Sequence, residues 1–238
     1  MSKTIQFKIE EEMKYVPSIV PASQALPQWY KDTPQDMPDS PAWTSGTYRT
    51  CLPFFDAMTQ GYIIPLWADL YVSPGHIDGE PKPVFQWNQL SSRVTVTTHR
   101  PEQTKGMPAV EESTAGFAYK LLSPWVIETP KDYSLLCVPP LNNRDSRFEI
   151  VAGVVCTDGF VNPMNFPFIW NAPPDYEGFI KAGTPVAQII PFKREVYEHE
   201  CSYMTEKDRV AIKSVHNSII NQFRGGYKKF WRKTAISK

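Results

Sequence analysis

The sequence has no apolar run of the length that a membrane-spanning helix requires. It also has no excess charge of either sign, because 25 Lys and Arg balance 25 Asp and Glu. A balanced charge gives no overall attraction to nucleic acid or to an anionic membrane. The start, MSKTIQFKIEEEMKY, is charged and has no apolar core, so no signal peptide is predicted.

The motifs of several enzyme classes are missing as well. The sequence contains no GxSxG nucleophile elbow, no P-loop, no GxGxxG stretch and no internal repeat. Its four cysteines show no CxxC spacing, which argues against a structural zinc knuckle. We therefore expect a cytosolic protein with reduced thiols.

Proline, in contrast, is abundant at 23 residues, and it favours short strands, many turns and long ordered loops. Short apolar segments with turn signals between them recur from Cys51 onward, among them FEIVAGVVCTD and PVAQIIPFKREVYEH. The pattern predicts a single mostly-β domain. We expect an antiparallel β-sandwich or compact barrel, jelly-roll or β-clip-like, with one C-terminal α-helix.

The chain divides into three regions by pattern. Residues 1–50 hold an N-terminal strand and a proline-rich arm, whose Trp29 and Tyr30 belong either to a core-covering loop or to a partner-binding arm. Residues 51–200 form the β core, where PFFDAMTQG fits one helical turn and Pro65 places its strand at an edge or a bulge. The stretches GHIDGEPKP and RPEQTKGMPAVEEST are predicted to be loops.

Residues 201–238 are predicted to form a helix followed by a basic aromatic tail. TEKD at 205–208 is a capping-box pattern, and apolar residues follow it at helical spacing up to a Gly-Gly pair at 225–226. These apolar residues are Ile212, Val215, Ile219 and Phe223. From Arg209 to the end there are eight Lys or Arg and no acid, so the tail could touch nucleic acid, dock on another subunit or remain solvated.

A candidate pocket comes from polar residues beside the turns of the core. Asp158, after an apolar strand, could act as a base or hold a hydroxyl group, or it could cap its own backbone in the turn. Arg194 would pair with an anionic group of a ligand. His99 is a second catalytic candidate, with a solvent-facing loop histidine as the alternative. Amide groups for ligand binding would come from Asn142, Asn143 and Asn165.

A metal site is the third possibility. His76 and Asp78 have the His-x-Asp spacing of a non-haem iron facial triad, with His99 or His199 as a third ligand. The alternative is a chance spacing in a loop, and on balance no metal and no cofactor is predicted. Cys156 is placed in an apolar strand beside Asp158, where a carboxylate neighbour and burial would both suppress its reactivity.

Several motifs from Cys51 onward resemble an uncharacterised family of tailed phages, notably the T4-like phages of marine cyanobacteria. The motifs are CLPFFDAMTQGYIIPL, TPKDYSLLCVPPLN, GVVCTDGF, NFPF, KAGTPVAQIIPFKR and the tail NQFRGGYKKFWRK. The resemblance implies a phage-associated protein of unassigned activity. Such a protein would be found in the host cytoplasm or in the virion.

A second, local resemblance is to the dUTPase and dCTP deaminase superfamily. It rests on GVVCTDGF at 153–160 and on KAGTPVAQI at 181–189, where the Gln can bind backbone across a strand crossing. The family's catalytic aspartate corresponds to Cys156, and only its second aspartate is matched, by Asp158. A thiol cannot orient an attacking water as a carboxylate does. The family's Arg-Ser-Ser motif is absent, with PPLNNRD near its place.

Three hypotheses about function follow. The first is a structural or accessory phage protein that acts through contacts with a protein partner or with itself. The second is a small-molecule or nucleotide-binding protein or enzyme, with its pocket near Asn142, Asp158 and Arg194. The third is an iron-dependent oxygenase that uses His76 and Asp78. No contact with a membrane is predicted, and nucleic acid is a possible partner only through the basic tail.

Overall fold

A computed structural model describes residues 3–41, 46–87, 94–159 and 162–220 of the chain. Within these residues the strands are β1 (Gln6–Lys8), β2 (Val20–Pro21), β3 (Tyr62–Pro65), β4 (Leu70–Ile77), β5 (Glu80–Trp87), β6 (Val96–Thr98), β7 (Tyr119–Glu128), β8 (Tyr133–Val138), β9 (Phe148–Ile150), β10 (Gly153–Val155), β11 (Pro163–Trp170), β12 (Gly178–Ile180) and β13 (Pro185–Lys193). The α-helices are α1 (Gln28–Asp32), α2 (Leu52–Thr59), α3 (Pro101–Thr104), α4 (Pro108–Glu111) and α5 (Glu206–Ile220).

The strands form three antiparallel sheets. The first sheet has the order β1-β7-β11-β9, with β6 also paired to β7. The second sheet has the order β10-β8-β13-β3-β2, and the third has the order β12-β4-β5. The prediction of a mostly-β antiparallel fold is confirmed. The compact-barrel alternative is wrong for the described strands, because their sheets stay open instead of closing on themselves.

The described residues fall into two compact units. The sheet unit comprises residues 3–27 and 57–194 and contains every strand named above. The arm unit comprises residues 28–56 and 195–220. The predicted boundaries after residues 50 and 200 stay a prediction. No helix in the described part of the chain is long and apolar enough to cross a membrane.

The core of the sheet unit is aromatic. Phe85 of the third sheet packs with ring centroids 4.8 Å from Tyr119 and 5.2 Å from Trp170, both of the first sheet. Tyr119 is fully buried, and its hydroxyl donates a hydrogen bond of 2.9 Å to the carbonyl of Pro83. Burial raises the pKa of the Tyr119 hydroxyl, so it stays protonated and serves as a donor. The packed rings of Phe85, Tyr119 and Trp170, together with the hydrogen bond of the Tyr119 hydroxyl, thus hold the first and third sheets together.

Two predictions about local structure are refined by proline. The stretch predicted as a loop after Arg100 contains α3 and α4, each of which begins with proline, a residue that fits the first helical turn. Pro65 ends β3, which lies between β13 and β2, and the pairing slips between Pro185 and Ala187 opposite it. Pro65 thus lies opposite an irregularity of β13 and beyond the pairing with β2, which reaches only Tyr62 and Ile63, so its place fits both the predicted bulge and the predicted edge.

The third sheet is built on a tight hairpin. Asp78 and Gly79 form its two-residue turn, with φ of 52° and 83°, which is the backbone that a type I′ turn requires. The strands pair through His76 and Pro81, so the predicted loop around GHIDGEPKP is mostly strand. Ile77 and Glu80 close the ladder next to the turn.

The arm unit has a small aromatic cluster of its own. Tyr30 is buried and stacks on Phe54 and Phe55 at 6.4 and 6.1 Å, whereas the preceding Trp29 is 42% exposed. Phe54 and Phe55 belong to α2, which has two turns instead of the single turn predicted. Tyr48 adds a stacked ring 5.0 Å from Phe54.

The capping box at the start of α5 is confirmed. Asp208 Oδ2 accepts a 2.8 Å hydrogen bond from the backbone N–H of Thr205, and Thr205 Oγ1 accepts one of 3.2 Å from the N–H of Asp208. The helix continues through Ile220 as its apolar spacing predicts. Phe223, the Gly-Gly pair at 225–226 and the basic tail lie outside the described residues.

Candidate functional site

The structure brings Asp158 and Arg194 into direct contact. Asp158 lies in the turn after β10, and Arg194 follows the last residue of β13. The guanidinium donates from Nη1 to Asp158 Oδ1 at 2.9 Å and from Nη2 to Oδ2, so the two groups meet in a fork. The sequence predicts both residues at one pocket, with Arg194 paired to an anionic group of a ligand. In the structure Arg194 binds a carboxylate of the same chain.

Further hydrogen bonds surround this ion pair. The N–H of Asp132, which has a φ of 69°, donates to Asp158 Oδ2 at 2.9 Å, and the Asp132 carbonyl accepts from the N–H of Arg194 at 2.8 Å. Arg194 Nη1 also donates to the carbonyl of Tyr133 and to Ser134 Oγ, both at 3.0 Å. The network therefore joins the end of β13, the start of β8 and the turn after β10.

The pair favours a structural role over general-base chemistry. Both carboxylate oxygens of Asp158 already accept hydrogen bonds within the chain, and the hydrogen bonds from Arg194 hold the pKa of Asp158 at about 2. A base with so low a pKa binds a proton weakly at neutral pH. A role in ligand binding stays a prediction for both residues.

We expect Asp158→Asn to lower the melting temperature at neutral pH and to lose that effect in acid. The folded-state pKa of Asp158 lies below its ordinary value of 3.8, so ionisation stabilises the fold above about pH 4. This stabilisation disappears as the pH falls through the folded value of about 2. Thermal melts of the native protein and the variant from pH 7 to pH 2 should therefore converge.

The matched control is Asp175→Asn, a change at an exposed acid of the same unit. Its melting temperature should follow that of the native protein at every pH. If the difference in melting temperature between Asp158→Asn and the native protein stays constant with pH, the assignment of the ion pair is contradicted.

The amide candidates lie in two places, Asn142 and Asn143 in a turn after β8 and Asn165 on β11. Asn142 has a φ of 58° in a turn that the N–H of Asn143 closes on the Pro140 carbonyl at 3.0 Å. Asparagine tolerates this left-handed backbone, so the conformation of the turn by itself explains an asparagine at position 142. Asn165 is exposed on β11 of the first sheet, opposite Leu122. Their roles as ligand-binding residues stay predictions.

His99 belongs to the first sheet, beyond the end of β6. Its N–H donates to the Ala118 carbonyl at 2.8 Å, and its Nε2 is buried and has no hydrogen-bond partner among the residues that the structure describes. Burial, followed by the charge of Lys120, lowers the pKa of His99, so the ring is neutral at pH 7. His99 thus contacts Ala118, next to β7, and Gln103 of α3, whereas Asp158 contacts residues at the ends of β8 and β13.

The metal hypothesis has no set of ligands in the described part of the chain. His76 lies on β4 and Asp78 in the hairpin turn, and nowhere among the described residues do three His, Cys, Asp or Glu side chains gather as a metal site would need. Cys156 is exposed, since β10 ends at Val155 and lies at the edge of its sheet. Its predicted burial in an apolar strand is therefore wrong.

Sequence reasoning missed an open cleft on the third sheet, which we call the aromatic cleft. Its volume is about 320 Å³, and it is lined by Asp69, Tyr71, Gln86, Trp87 and Phe179. Phe179, Tyr71 and Gln86 lie side by side on β12, β4 and β5, because Tyr71 pairs with both of the others. Asp69 and Trp87 lie at one end of the hairpin, where β4 begins and β5 ends.

Charged side chains frame this cleft. Asp69 Oδ2 accepts from Lys181 Nζ at 2.9 Å, and Asp69 Oδ1 accepts from the N–H of Ala182 at 2.8 Å. The hydrogen bond from Ala182, followed by that from Lys181, lowers the pKa of Asp69, so this carboxylate is ionised. The Tyr71 hydroxyl donates to Glu177, which raises the pKa of Tyr71. Because Leu70 and Val72 are buried and flank Tyr71 on a strand, the alternation of strand residues could have predicted that the Tyr71 ring faces outward.

Comparisons with models of protein families and with curated proteins find no match to the chain. A comparison with solved structures finds a likeness to a mutant dUTPase from phage phi11 of S. aureus, a protein that coordinates a structural Mg(II) ion. The two chains are 10% identical, and the match covers 85% of this chain and 99% of the other with a TM-score of 0.35. At these values the likeness assigns neither an activity nor a ligand to this chain.

Proposed function

We propose that this chain is a non-enzymatic structural or accessory protein, and that it associates with a second copy of itself through residues 195–217, the C-terminal segment. The observation that carries the proposal is the exposure of apolar side chains along the whole segment. Val196 is 98% exposed and Tyr203 is 100% exposed. The other exposed apolar residues are Tyr197, Met204, Val210, Ile212 and Val215.

Such exposure favours a partner because apolar surface in water is unfavourable. The described part of α5 has 15 residues, and most helical stability in proteins comes from the packing of an apolar face. Ile212 and Val215 are three residues apart and share one side of this helix. A second chain packed on that side would bury both side chains and stabilise the helix.

The charge distribution favours a second copy of this chain over a foreign partner. From Glu195 to Asp208 the sequence is acidic, with only Lys207 to offset its acids. From Arg209 to the end it has eight basic residues and no acid. Within the C-terminal segment the acids precede Arg209 and Lys213, so two copies of the segment arranged antiparallel would place acidic side chains beside these two basic ones, which is the electrostatic complementarity that an interface needs.

Removing the apolar side chains of α5 should abolish self-association. We expect the native protein to elute with the mass of an oligomer, a multiple of 27.2 kDa, and the double variant Ile212→Ser and Val215→Ser to elute as a monomer. Size-exclusion chromatography with light scattering at micromolar concentration measures both masses.

The control is the double variant Lys213→Ser and Asn217→Ser, which changes two exposed residues on the other side of the same helix. It should retain the oligomer of the native protein. A monomeric native protein, or an oligomer that survives the Ile212 and Val215 changes, would contradict the proposal. A phage accessory protein of this kind would reside in the host cytoplasm or in the virion.

A further inference from the structure

We propose that the aromatic cleft on the third sheet binds a neutral oligosaccharide. The cleft belongs to the sheet unit and is independent of the C-terminal segment. Its volume of about 320 Å³ lies at the lower end of the range of about 300–1,000 Å³ for small-molecule sites. The ring faces, the hydrogen-bonding groups and the local charge each point to this ligand class.

Aromatic rings are exposed at the surface of the cleft. Phe179 is 53% exposed although it lies on a strand, and its ring centroid is 5.0 Å from that of Tyr71 at an angle of 51°. Trp87 adds a third, partly exposed ring at the end of β5. The π faces of such rings are negative, and they attract the polarised C–H groups on one side of a sugar ring.

Hydrogen-bonding groups stand beside these rings. The Gln86 side chain is exposed and offers an amide oxygen and an amide nitrogen. From the described residues each oxygen of Asp69 accepts one hydrogen bond, which leaves a second lone pair on each for a ligand hydroxyl group. Hydroxyl groups both donate and accept, so a sugar matches this mixture of acceptors and donors.

The charges around the cleft disfavour ionic ligands of either sign. Glu177 would repel phosphate or carboxylate groups. A cation is disfavoured at Phe179, because Lys181 Nζ already lies 4.3 Å from the centroid of that ring. Lys181 and Asp69 neutralise each other at 2.9 Å. A neutral ligand meets none of these penalties.

Isothermal titration calorimetry of the full chain with maltohexaose, cellohexaose and chitohexaose tests the proposal. We expect at least one of these neutral sugars to bind. The variant Phe179→Ala should weaken that binding about tenfold, which is the loss expected for one aromatic stacking contact. Gln86→Ala, which removes the amide and leaves the rings in place, should also weaken it.

Phe192→Ala is the matched control, because Phe192 is a partly exposed phenylalanine on β13 of the second sheet. It should leave the affinity unchanged, and thermal melts should show that all three variants fold. The proposal is overturned if none of the three sugars binds, or if Phe179→Ala binds as tightly as Phe192→Ala.

Discussion

Substituting Gly61 by alanine should destabilise the sheet unit by about 4 kcal/mol or more, a loss reached only by severe core defects. Gly61 has a φ of 66°, and a Cβ atom placed there would lie 1.9 Å from the carbonyl oxygen of Ile189. The residue cannot move away freely, because its own carbonyl accepts a 2.9 Å hydrogen bond from Ala22 and its neighbour Tyr62 pairs with Ile189. Urea denaturation of the native protein and the variant measures the difference.

Two other glycines separate the causes of this loss. Gly183 has a φ of 88° with open space where a Cβ would lie, so Gly183→Ala should cost only the roughly 1–2 kcal/mol of a left-handed backbone. Gly153 has neither a left-handed backbone nor a close neighbour, so Gly153→Ala should be near neutral. If the Gly61→Ala and Gly183→Ala variants are equally stable, the contact with the Ile189 carbonyl adds nothing to the loss of stability at Gly61.

Local patterns account for what could be predicted from the sequence. The Asp-Gly pair at 78–79 predicts the tight turn, and the TEKD pattern predicts the start of α5, because both depend on residues that are neighbours in the chain. Alternation in the strands predicts a β fold for the same reason. Pro65 could be read as a bulge because the missing N–H excludes it from a regular ladder.

Contacts between distant segments could not be predicted in this way. Phe179 and Tyr71 form the aromatic cleft only because β12 pairs with β4, and no local signal reports that pairing. Asp158 and Arg194 were both selected as polar residues beside turns, but their ion pair depends on the register of the second sheet. The sequence therefore indicates which residues are unusual and leaves open which partner each one meets.

Replacing Gln188 by leucine should lower the free energy of unfolding by about 3 kcal/mol, or roughly 1 kcal/mol for each of three hydrogen bonds. Its side chain is 1% exposed on β13. Nε2 donates to the carbonyls of Ala57 and Gln60 at 2.9 and 2.7 Å, and Oε1 accepts from the N–H of Leu141 at 2.9 Å. The predicted backbone-binding role of this Gln is confirmed, whereas its three partners could not be read from the sequence.

Gln188→Glu should be at least as damaging at neutral pH, because a carboxylate oxygen would then face the two carbonyl oxygens in a buried position. Burial beside acceptors raises the pKa of a carboxyl group, and protonation restores one donor. The loss of unfolding free energy in this variant should therefore shrink in mild acid, while that of Gln188→Leu should not.

The control is Gln86→Leu, a change at an exposed glutamine, which should change the free energy of unfolding by less than about 0.5 kcal/mol. Urea denaturation at pH 7 and pH 5 measures the free energy of unfolding of all three variants. An unchanged denaturation midpoint for Gln188→Leu would show that the hydrogen bonds of Gln188 to Ala57, Gln60 and Leu141 do not stabilise the fold.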